Sequence, residues 1–330
     1  MSVEIRGNTG YGLMSLTWRP QPVPYEQAFS TINSALSDGV EFFNAGEFYG
    51  NPPNDKHANL ELLRAYFAKY PESRSKMVVS VKGCVDLPHP PDNSPENIAK
   101  SIRNIASYFP DGKFDIFEPA RQDGKHPVED VVKSIVPFIE EGVIRGISLS
   151  EVSATTIRRA AKVHPISCVE VEFSLWSREI LRNGVMDACR DLGIPVIAYS
   201  PLGRGYLTGQ IKSVDDIPEG DFRRTLDRFS SQEVLENNMS VVRLVEELAR
   251  QKKCTAAQIA LAWIRKHNEF PEKYARVIPI PSSSTPARNH ENNTEIPLTD
   301  AEFADLNAKL DKIEIRGGRY NAHAAGFLEK

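Results

Sequence analysis

The sequence predicts an α/β fold in which eight parallel strands close into a barrel surrounded by helices, the (β/α)8 or TIM-barrel class. Short apolar runs alternate with amphipathic segments along all 330 residues. This alternation indicates a parallel sheet, because each crossover between parallel strands needs a long connection, usually a helix. No change of composition typical of a linker divides the chain, so we expect residues 1–330 to form one domain.

The strands are predicted from short apolar runs bounded by polar or turn-forming residues. Eight such runs occur along the chain, as many as a closed barrel of this class needs. They are Tyr11–Met14, Glu41–Asn44, Val78–Lys82, Phe114–Phe117, Arg145–Ser148, Cys168–Val171, Val196–Ser200 and Val277–Pro279.

The helices are predicted from apolar residues that recur every three or four positions. In one of them Ile98, Ile102 and Ile105 share a face, and Ser94-Pro95 gives the cap and first turn. The predicted helices are Tyr25–Ser37, His57–Tyr70, Pro95–Tyr108, Val128–Glu141, Thr155–Val163, Ser177–Asp191 and Thr255–His267.

Two segments lack either pattern. Residues 202–230 form a long stretch rich in Gly and Arg, and residues 316–330 form a tail with three glycines. Both could fold over the barrel mouth as a lid. A frayed terminus is an equally good interpretation of the tail.

The composition argues against several classes of function, namely nucleic-acid binding, a membrane span and a metal site. Hydrophobic residues make up 41% and charged residues 25%, as in soluble globular proteins, and the net charge of −4 argues against nucleic-acid binding. No apolar run approaches the roughly 18 residues of a membrane span, and the first residues do not read as a signal peptide. The four scattered cysteines indicate reduced thiols in the cytoplasm or nucleus. The histidines show no metal-ligand spacing, so no metal is expected.

Two reactive side chains follow neighbouring strands. Tyr49 lies in Asn44-Ala45-Gly46-Glu47-Phe48-Tyr49-Gly50, and Lys82 ends the third strand. Barrels of this class carry their active sites at the carboxyl ends of the strands, so the two should meet at the mouth. A neighbouring ammonium lowers a tyrosine pKa from its usual value of about 10. The pair therefore indicates a proton donor for carbonyl chemistry.

A third group of residues is suited to a phosphate. Ser282, Ser283 and Ser284 precede a further predicted helix, whose N-terminus favours anions. Arg288, inside that helix, can fork onto phosphate oxygens. An ordinary capped helix with a solvated arginine is the competing interpretation.

These motifs resemble those of the aldo-keto reductases, NAD(P)H-dependent carbonyl reductases built on a (β/α)8 barrel. Residues 44–50 are similar to the family's Asp-x-Ala-x-x-Tyr-Gly signature, with Asn44 for Asp and Gly46 for Ala. Lys82 matches the family's lysine. The resemblance covers nearly the whole chain and implies Tyr49, Lys82 and Asn44 at the catalytic positions, NADPH as cofactor and a small-molecule aldehyde as substrate.

The resemblance also implies a cofactor site along the strand ends. Glu170 stands where the family's glutamine meets the nicotinamide amide, Tyr199 matches the aromatic that stacks on the ring, and Arg288 corresponds to the contact with the 2′-phosphate. Residues 201–204 would follow the pyrophosphate, and Glu291 and Asn292 the adenine. The full set is Gly12, Met14, Ser150, Glu151, Glu170, Tyr199, Ser200, Leu202, Gly203, Arg204, Ser282, Ser283, Ser284, Arg288, Glu291 and Asn292.

Two departures from the family pattern are informative. Asn44 replaces the aspartate that pairs with the lysine, and Ala120 stands where the family has a histidine. Losing the aspartate should lower the Tyr49 pKa further and could lower that of Lys82. Losing the histidine removes a group that orients the carbonyl.

Together with Phe117-Glu118-Pro119-Ala120-Arg121, the modified signature resembles the fungal branch that interconverts pyridoxal and pyridoxine. That resemblance implies reduction of pyridoxal. As a hypothesis, Glu118 or Arg121 contacts the substituents of its ring. Trp18 follows the first strand, where it could line the substrate pocket, and a Trp packed under a loop is an equally good interpretation. The alternatives are a broad-specificity aldehyde or ketone reductase, and a low-turnover NADPH-binding sensor or subunit. The sequence leaves the oligomeric state open.

Overall fold

Eight parallel strands form a nearly closed barrel in the computed structural model, which describes residues 3–51 and 55–328. Neighbouring strands pair in chain order, from β1 to β8. Backbone bonds of 2.9 Å from Gly10 to Pro279 and 3.2 Å from Gly12 to Pro281 bring the first and last strands together. The strands are β1 (Tyr11–Gly12), β2 (Phe42–Gly46), β3 (Val78–Gly83), β4 (Ile116–Pro119), β5 (Gly146–Ser150), β6 (Cys168–Glu172), β7 (Val196–Tyr199) and β8 (Val277–Pro279). The predicted (β/α)8 class is confirmed.

Helices surround the barrel and connect its strands. They are α1 (Met14–Thr17), α2 (Tyr25–Ser37), α3 (Ala58–Lys69), α4 (Pro95–Ala106), α5 (Val128–Glu140), α6 (Ala154–Ala161), α7 (Val185–Leu192), α8 (Gln232–Lys252), α9 (Ala256–Lys266), α10 (Pro286–Asn293), α11 (Asp300–Leu310) and α12 (Ala322–Ala325). Short 3₁₀ segments cover Pro71–Lys76, Glu179–Leu181, Gly203–Thr208, Val214–Asp216, Phe222–Thr225, Asp227–Phe229 and His267–Glu269. Within the described residues, no helix has the length and apolar composition needed to cross a membrane.

The predicted helix Ser177–Asp191 is wrong in its first half. Gly184 adopts φ +83°, a left-handed conformation that stops a helix from running through it. Only the part after it, α7, is α-helical, and a 3₁₀ turn at Glu179–Leu181 precedes it. A further difference is α8, an additional helix of 21 residues between the long loop and the crossover helix α9.

Apolar side chains fill the amino-terminal half of the barrel. Phe42, Ile116, Cys168, Ile197 and Ile278, from five different strands, form one buried cluster inside it. Val3 and Ile5 join this cluster. A separate and larger apolar layer packs the outside of the strands against the helices. With apolar side chains packed at that end, the polar chemistry is confined to the carboxyl ends of the strands.

Candidate active site

Tyr49 lies in the turn after β2 and is 6% exposed. A Cβ atom on Gly46 would lie 2.7 Å from Cγ of the tyrosine ring, so the missing methyl allows the ring to approach the strand. The Thr17 hydroxyl donates to the Tyr49 carbonyl over 2.8 Å, which anchors the turn. The aromatic ring is therefore fixed at the barrel mouth by the local sequence.

Lys82 extends from the neighbouring strand β3 toward this ring. Gly46 pairs with Lys82 in the sheet, and the ammonium nitrogen lies 5.8 Å from the centre of the Tyr49 ring. The ammonium also interacts with the phenol hydroxyl. The structure thus brings together the tyrosine and lysine that the sequence singled out.

Two buried glutamates, rather than one aspartate, compensate the charge of Lys82. Its ammonium contacts Glu170 from β6 and lies 3.5 Å from Glu118 of β4. Asn44 links the group, accepting from Lys82 over 2.9 Å and donating to Glu170 over 2.6 Å. All four residues are at most 5% exposed. Carboxylates from β4 and β6 therefore replace the missing aspartate.

This cluster corrects the expected pKa directions. Burial raises the pKa of Tyr49 to about 12, and the opposing effect of Lys82 is smaller. Burial alone would lower the pKa of Lys82, but Glu118 and Glu170 outweigh it and raise that pKa. The sequence-based expectation of a lowered tyrosine pKa and a lowered lysine pKa is wrong, because it assumed that Lys82 lacked a counterion.

Glu118 has a different position from the one expected. It was assigned to the substrate pocket, but its side chain is fully buried and faces Lys82 and the Ser80 hydroxyl, 3.4 Å away. It therefore acts on the lysine and is not part of the pocket surface. Glu170 likewise contacts Lys82 and Asn44, and its contact with a nicotinamide stays a prediction.

An aromatic cluster lies next to Tyr49. Trp18 lies 5.6 Å from the Tyr49 ring and stacks on Phe222 at 5.9 Å, measured between ring centres. Phe48 and Ala120, at the position of the family's histidine, complete the wall around Tyr49. The rings of this cluster offer flat apolar surfaces, which suit an aromatic or apolar molecule.

Arg121, which follows β4, carries a charge close to this cluster. Its guanidinium donates to the Ala120 carbonyl over 2.5 Å, to the Ser150 hydroxyl over 3.2 Å and to the Tyr320 hydroxyl over 3.2 Å. Among the described residues, no carboxylate forms an ion pair with it. Its hydrogen-bond partners are therefore uncharged oxygens.

The tail reaches the mouth of the barrel. Arg319 forms two bonds to Glu151, of 2.8 and 2.9 Å, and lies 3.9 Å from Glu172. The Tyr320 hydroxyl lies 2.9 Å from that of Tyr199, and its ring packs 4.6 Å from the Arg204 guanidinium. The described part of the tail is thus ordered on the mouth, as the lid interpretation expected, whereas residues 329–330 lie outside the described residues.

The tail changes the surroundings of predicted cofactor residues. Burial would raise the pKa of Glu151, but its pairing with Arg319 prevails and lowers it. Tyr199 donates to Glu151 over 2.7 Å, and Arg204 pairs with Glu172 over 3.0 Å. Glu151, Tyr199 and Arg204 therefore all contact the tail, and their contacts with a cofactor stay predictions.

Backbone strain is concentrated at the strand ends. Cys84, Glu151 and Ser200 directly follow β3, β5 and β7, and their φ angles are +63°, +52° and +48°. Left-handed conformations of non-glycine residues cost about 1–3 kcal/mol each and cluster at functional sites. Leu202 and the left-handed Gly203 continue from Ser200 into the long loop.

The segment after β8 fits an anionic ligand. Ser282 donates to the Gly12 carbonyl over 2.6 Å, and a Cβ on Gly12 would lie 2.8 Å from that hydroxyl. The Ser283 hydroxyl is buried without a hydrogen-bond partner. Arg288 is exposed on α10 and donates to Gln210 over 3.2 Å.

The remaining residues of the expected cofactor set surround these groups. Met14 begins α1. The Ser284 carbonyl accepts from Gln27. Glu291 accepts from Thr255 over 2.7 Å, and Asn292 is buried on α10. An unpartnered hydroxyl, a helix N-terminus and an accessible guanidinium form a donor set suited to a phosphate.

Four residues of the mouth were missed by the sequence reasoning: Glu172, Phe222, Arg319 and Tyr320. Glu172 had a usable signal, because Glu170 and Glu172 are two acids on the same face of an otherwise apolar strand. The other three, Phe222 in the long loop and the adjacent Arg319 and Tyr320 in the tail, lie far from the strand ends in sequence and reach the mouth only through the loop and tail.

One group of possible metal ligands lies outside this site. Among the described residues, Asp92, Asp123 and His126 come close enough to share an ion. Both Asp123 oxygens already accept hydrogen bonds from the backbone of residues 93, 125 and 126. We therefore interpret this group as a loop-ordering cluster.

Comparison with known proteins agrees with this geometry. The model of the aldo/keto reductase family matches residues 8–311. The chain is 43% identical over 336 residues to a candidate pyridoxal reductase of Saccharomyces cerevisiae, covering 95% of each protein. It is 40% identical over 331 residues to the probable pyridoxal reductase 2 of Schizosaccharomyces pombe, covering 98% of this chain and 97% of that protein.

More distant proteins share the family or the fold. An aldo-keto reductase of S. pombe whose name specifies NADP(+) is 32% identical over 319 residues, covering 94% of this chain and 90% of that protein. The crystal structure of a thermostable aldo-keto reductase with the inhibitor epalrestat superimposes with a TM-score of 0.69, covering 92% and 95% of the two chains. Glycerol dehydrogenase from Gluconobacter oxydans gives 0.78, covering 94% and 93%. Both are 20% identical and therefore support the fold alone.

Proposed function

Because the chain belongs to the aldo/keto reductase family, we propose that it reduces an aldehyde to an alcohol with NADPH, and that pyridoxal is the favoured substrate. The observation that carries the proposal is the Tyr49 hydroxyl beside the Lys82 ammonium, next to a cluster of aromatic side chains. A module that only bound a cofactor would need neither group there.

The residues around the mouth fit NADPH. The bound cofactor supplies the hydride that adds to the carbonyl carbon. Ser282, Ser283 and Arg288 would hold the adenosine phosphate, and Leu202 and Gly203 would offer backbone amides to the pyrophosphate. Tyr199 would stack on the nicotinamide. The NADP(+) in the name of the S. pombe relative supports this choice of cofactor.

Tyr49 supplies the proton. Its pKa of about 12 keeps the phenol protonated at physiological pH, so it is ready to donate to the carbonyl oxygen as negative charge develops there. The Lys82 ammonium then stabilises the phenolate that remains, because opposite charges at short range favour the ionised form. Gly46 keeps the ring close to its strand and so fixes the direction of donation.

Pyridoxal suits a site that lacks the family's histidine. Its phenolic oxygen lies beside the aldehyde and can polarise the carbonyl from within the substrate. Arg121 can bind this oxygen, and Trp18 and Phe222 offer flat surfaces to the pyridine ring. The two most similar relatives cited above, both named as pyridoxal reductases, support the same substrate.

The test is NADPH consumption with pyridoxal by the wild type and by Tyr49→Phe. Losing the phenol hydroxyl should reduce kcat about 100-fold or more, the usual contribution of a positioned general acid. NADPH binding, followed by fluorescence, should be unchanged. Thr17→Val, which removes the hydroxyl that anchors the same turn, tests whether loosening Tyr49 has the same effect as deleting its proton.

Benzaldehyde provides the second comparison, since it lacks the phenolic oxygen. Equal rates with benzaldehyde and pyridoxal would contradict the substrate assignment and indicate a broad aldehyde reductase. NADPH binding without turnover of either aldehyde would contradict the catalytic proposal and favour a sensing role.

A further inference from the structure

The charges around Lys82 do not balance. Glu118 and Glu170 both face this one ammonium, and their neighbour Asn44 is neutral. Both carboxyl groups are at most 1% exposed. An uncompensated charge at such a depth is costly, and a proton taken up by one of two neighbouring carboxylates removes it.

The other groups that face the pair do not supply a second counterion. Among the described residues, Lys82 is the one cation that forms an ion pair with either glutamate. The positive charge of Arg121 acts on Glu170 from farther away. Burial raises the pKa of the Cys168 thiol far above its usual value, and Tyr49 is also neutral at rest. The facing titratable groups are Tyr49, Lys82, Arg121 and Cys168.

The pKa values of Glu170 and Tyr49 favour proton transfer from the glutamates to the tyrosine. Burial, followed by the charge of Glu118, raises the pKa of Glu170 to about 8, against the opposing effect of Lys82. The Tyr49 phenolate binds a proton more tightly, with a pKa of about 12. A proton therefore moves downhill from the glutamates to a newly formed phenolate.

We propose that Glu118 and Glu170 hold one proton between them and return it through Lys82 to Tyr49 after Tyr49 has protonated the substrate. They are positioning residues for the proton and do not touch the reacting carbonyl. This inference rests on the proposed role of Tyr49 as proton donor. It also gives a function to Glu170, which the family resemblance assigned to the cofactor.

The transfer is balanced in atoms and charge. The Tyr49 O–H bond breaks and an O–H bond forms on the product alkoxide. Lys82 then loses an N–H proton to the phenolate, and the glutamate pair loses its proton to Lys82. The site ends with two carboxylates and one ammonium, and the pair regains one proton from solvent before the next turnover. Asn44 holds the side chains of Lys82 and Glu170 next to each other through its two hydrogen bonds.

The sign of the pH dependence follows from this scheme. Below pH 8 the pair holds its proton, and the cluster is neutral. Above pH 8 the proton is lost, the cluster carries one net negative charge, and forming a phenolate beside it becomes harder. The kcat for aldehyde reduction should therefore fall as the pH rises through about 8.

Glu170→Gln and Glu118→Gln test the scheme by kcat–pH profiles. Either substitution leaves one glutamate carboxylate paired with the Lys82 ammonium, so no proton remains to titrate near pH 8. We expect the alkaline decrease to disappear in both variants and kcat at pH 7 to fall about 10-fold, less than for loss of the proton donor itself. A decrease that stays near pH 8 in either variant would overturn the proposal.

Asp115→Asn is the matched control for losing a buried carboxylate. Asp115 is 2% exposed and pairs with Arg74 and Arg145 just before β4, away from the mouth. Its replacement can lower stability but should leave the alkaline decrease in place. If the alkaline decrease in kcat also disappeared in Asp115→Asn, its disappearance in the glutamine variants would be a general consequence of destabilisation.

Infrared spectroscopy separates this inference from the proposed function, because it needs no turnover. The wild type should show the carbonyl stretch of a buried protonated carboxyl group at pH 6.5, and this band should vanish near pH 9.5. The band should be missing from both glutamine variants. If it is missing from the wild type, the shared proton is refuted, even if Tyr49 proves to be the catalytic acid. If the band is present but no aldehyde is reduced, the proposed reaction fails instead.

Discussion

At the scale of single residues, the environment of Lys82 decides what Tyr49 can do. Buried carboxylates from two other strands hold the ammonium charged, and burial holds the phenol protonated. Neither result follows from Asn44 alone, although Asn44 is the most visible change in the signature. The amide there keeps the cluster from carrying three carboxylates around one ammonium.

Asn44→Asp tests that interpretation. A third carboxylate next to Lys82 adds negative charge, which raises the pKa of the shared proton. We expect the alkaline decrease in kcat to move to higher pH, by about one unit or more for charges in direct contact. The kcat–pH profile measures the shift, with Asn59→Asp, another buried amide at the mouth, as the control. Movement to lower pH would contradict this account of the charges.

At the scale of elements, the mouth is completed by segments outside the strand–helix repeat. The tail residues Arg319 and Tyr320 bond to groups at the ends of β5 and β7, namely Glu151 and Tyr199. Phe222 of the long loop stacks on Trp18. In the proposed reaction, substrate and cofactor therefore have to reach Tyr49 past these two segments.

Arg319→Gln tests the attachment of the tail. Leaving Glu151 buried without its partner should lower the free energy of unfolding at pH 7 by about 3–5 kcal/mol. The folded-state pKa of Glu151 is lowered, so the pairing stabilises the protein above the unfolded pKa, and that contribution is lost as the pH falls through the folded value. The difference between variant and wild type in urea unfolding should thus shrink at acidic pH.

The matched control is Arg316→Gln. Arg316 precedes Arg319 in the same tail, but its ion pair with Glu233 is half exposed or more on both sides. Exposed pairs contribute about 0–1 kcal/mol, so this variant should unfold nearly as the wild type does. Equal losses in the two variants would mean that the buried pair has no special role in holding the tail.

The sequence predicted elements better than it predicted contacts between them. The strands could be located because buried parallel strands are short apolar runs, and Tyr49 and Lys82 because polar residues at strand ends are conspicuous. The helix over residues 177–191 failed at Gly184, where the apolar spacing continues but the backbone turns left-handed. Glu118, Glu170 and Lys82 meet across β3, β4 and β6, and Arg319 meets Glu151 across 168 positions. No local pattern contains such contacts, so the tyrosine pKa was predicted in the wrong direction.

At the scale of the whole molecule, binding of the cofactor should stabilise the barrel. A ligand that binds only the folded state at 100 times its Kd adds about 2.7 kcal/mol to the free energy of unfolding. We expect NADPH to raise Tm, and Arg288→Gln to reduce this rise while leaving the smaller effect of NADH unchanged. Differential scanning fluorimetry measures the rise in Tm that each of the two cofactors causes.

Arg103→Gln serves as the control for that comparison, since Arg103 is an exposed arginine of α4. It should behave as the wild type with either cofactor. If NADPH and NADH raised the Tm equally, and Arg288→Gln changed neither rise, the argument for a phosphate contact at Arg288 would be removed.

The charged cluster of Lys82, Glu118 and Glu170 also constrains how this barrel can evolve. Well-packed apolar side chains in place of a buried ion-pair cluster often leave a fold equally stable or make it more stable. Selection for heat resistance alone would therefore favour replacing Lys82, Glu118 and Glu170 by apolar residues, at the expense of the proposed proton transfer. A descendant in which all three positions have become apolar would be recognisable from its sequence as a barrel without the charged cluster that this proposal needs.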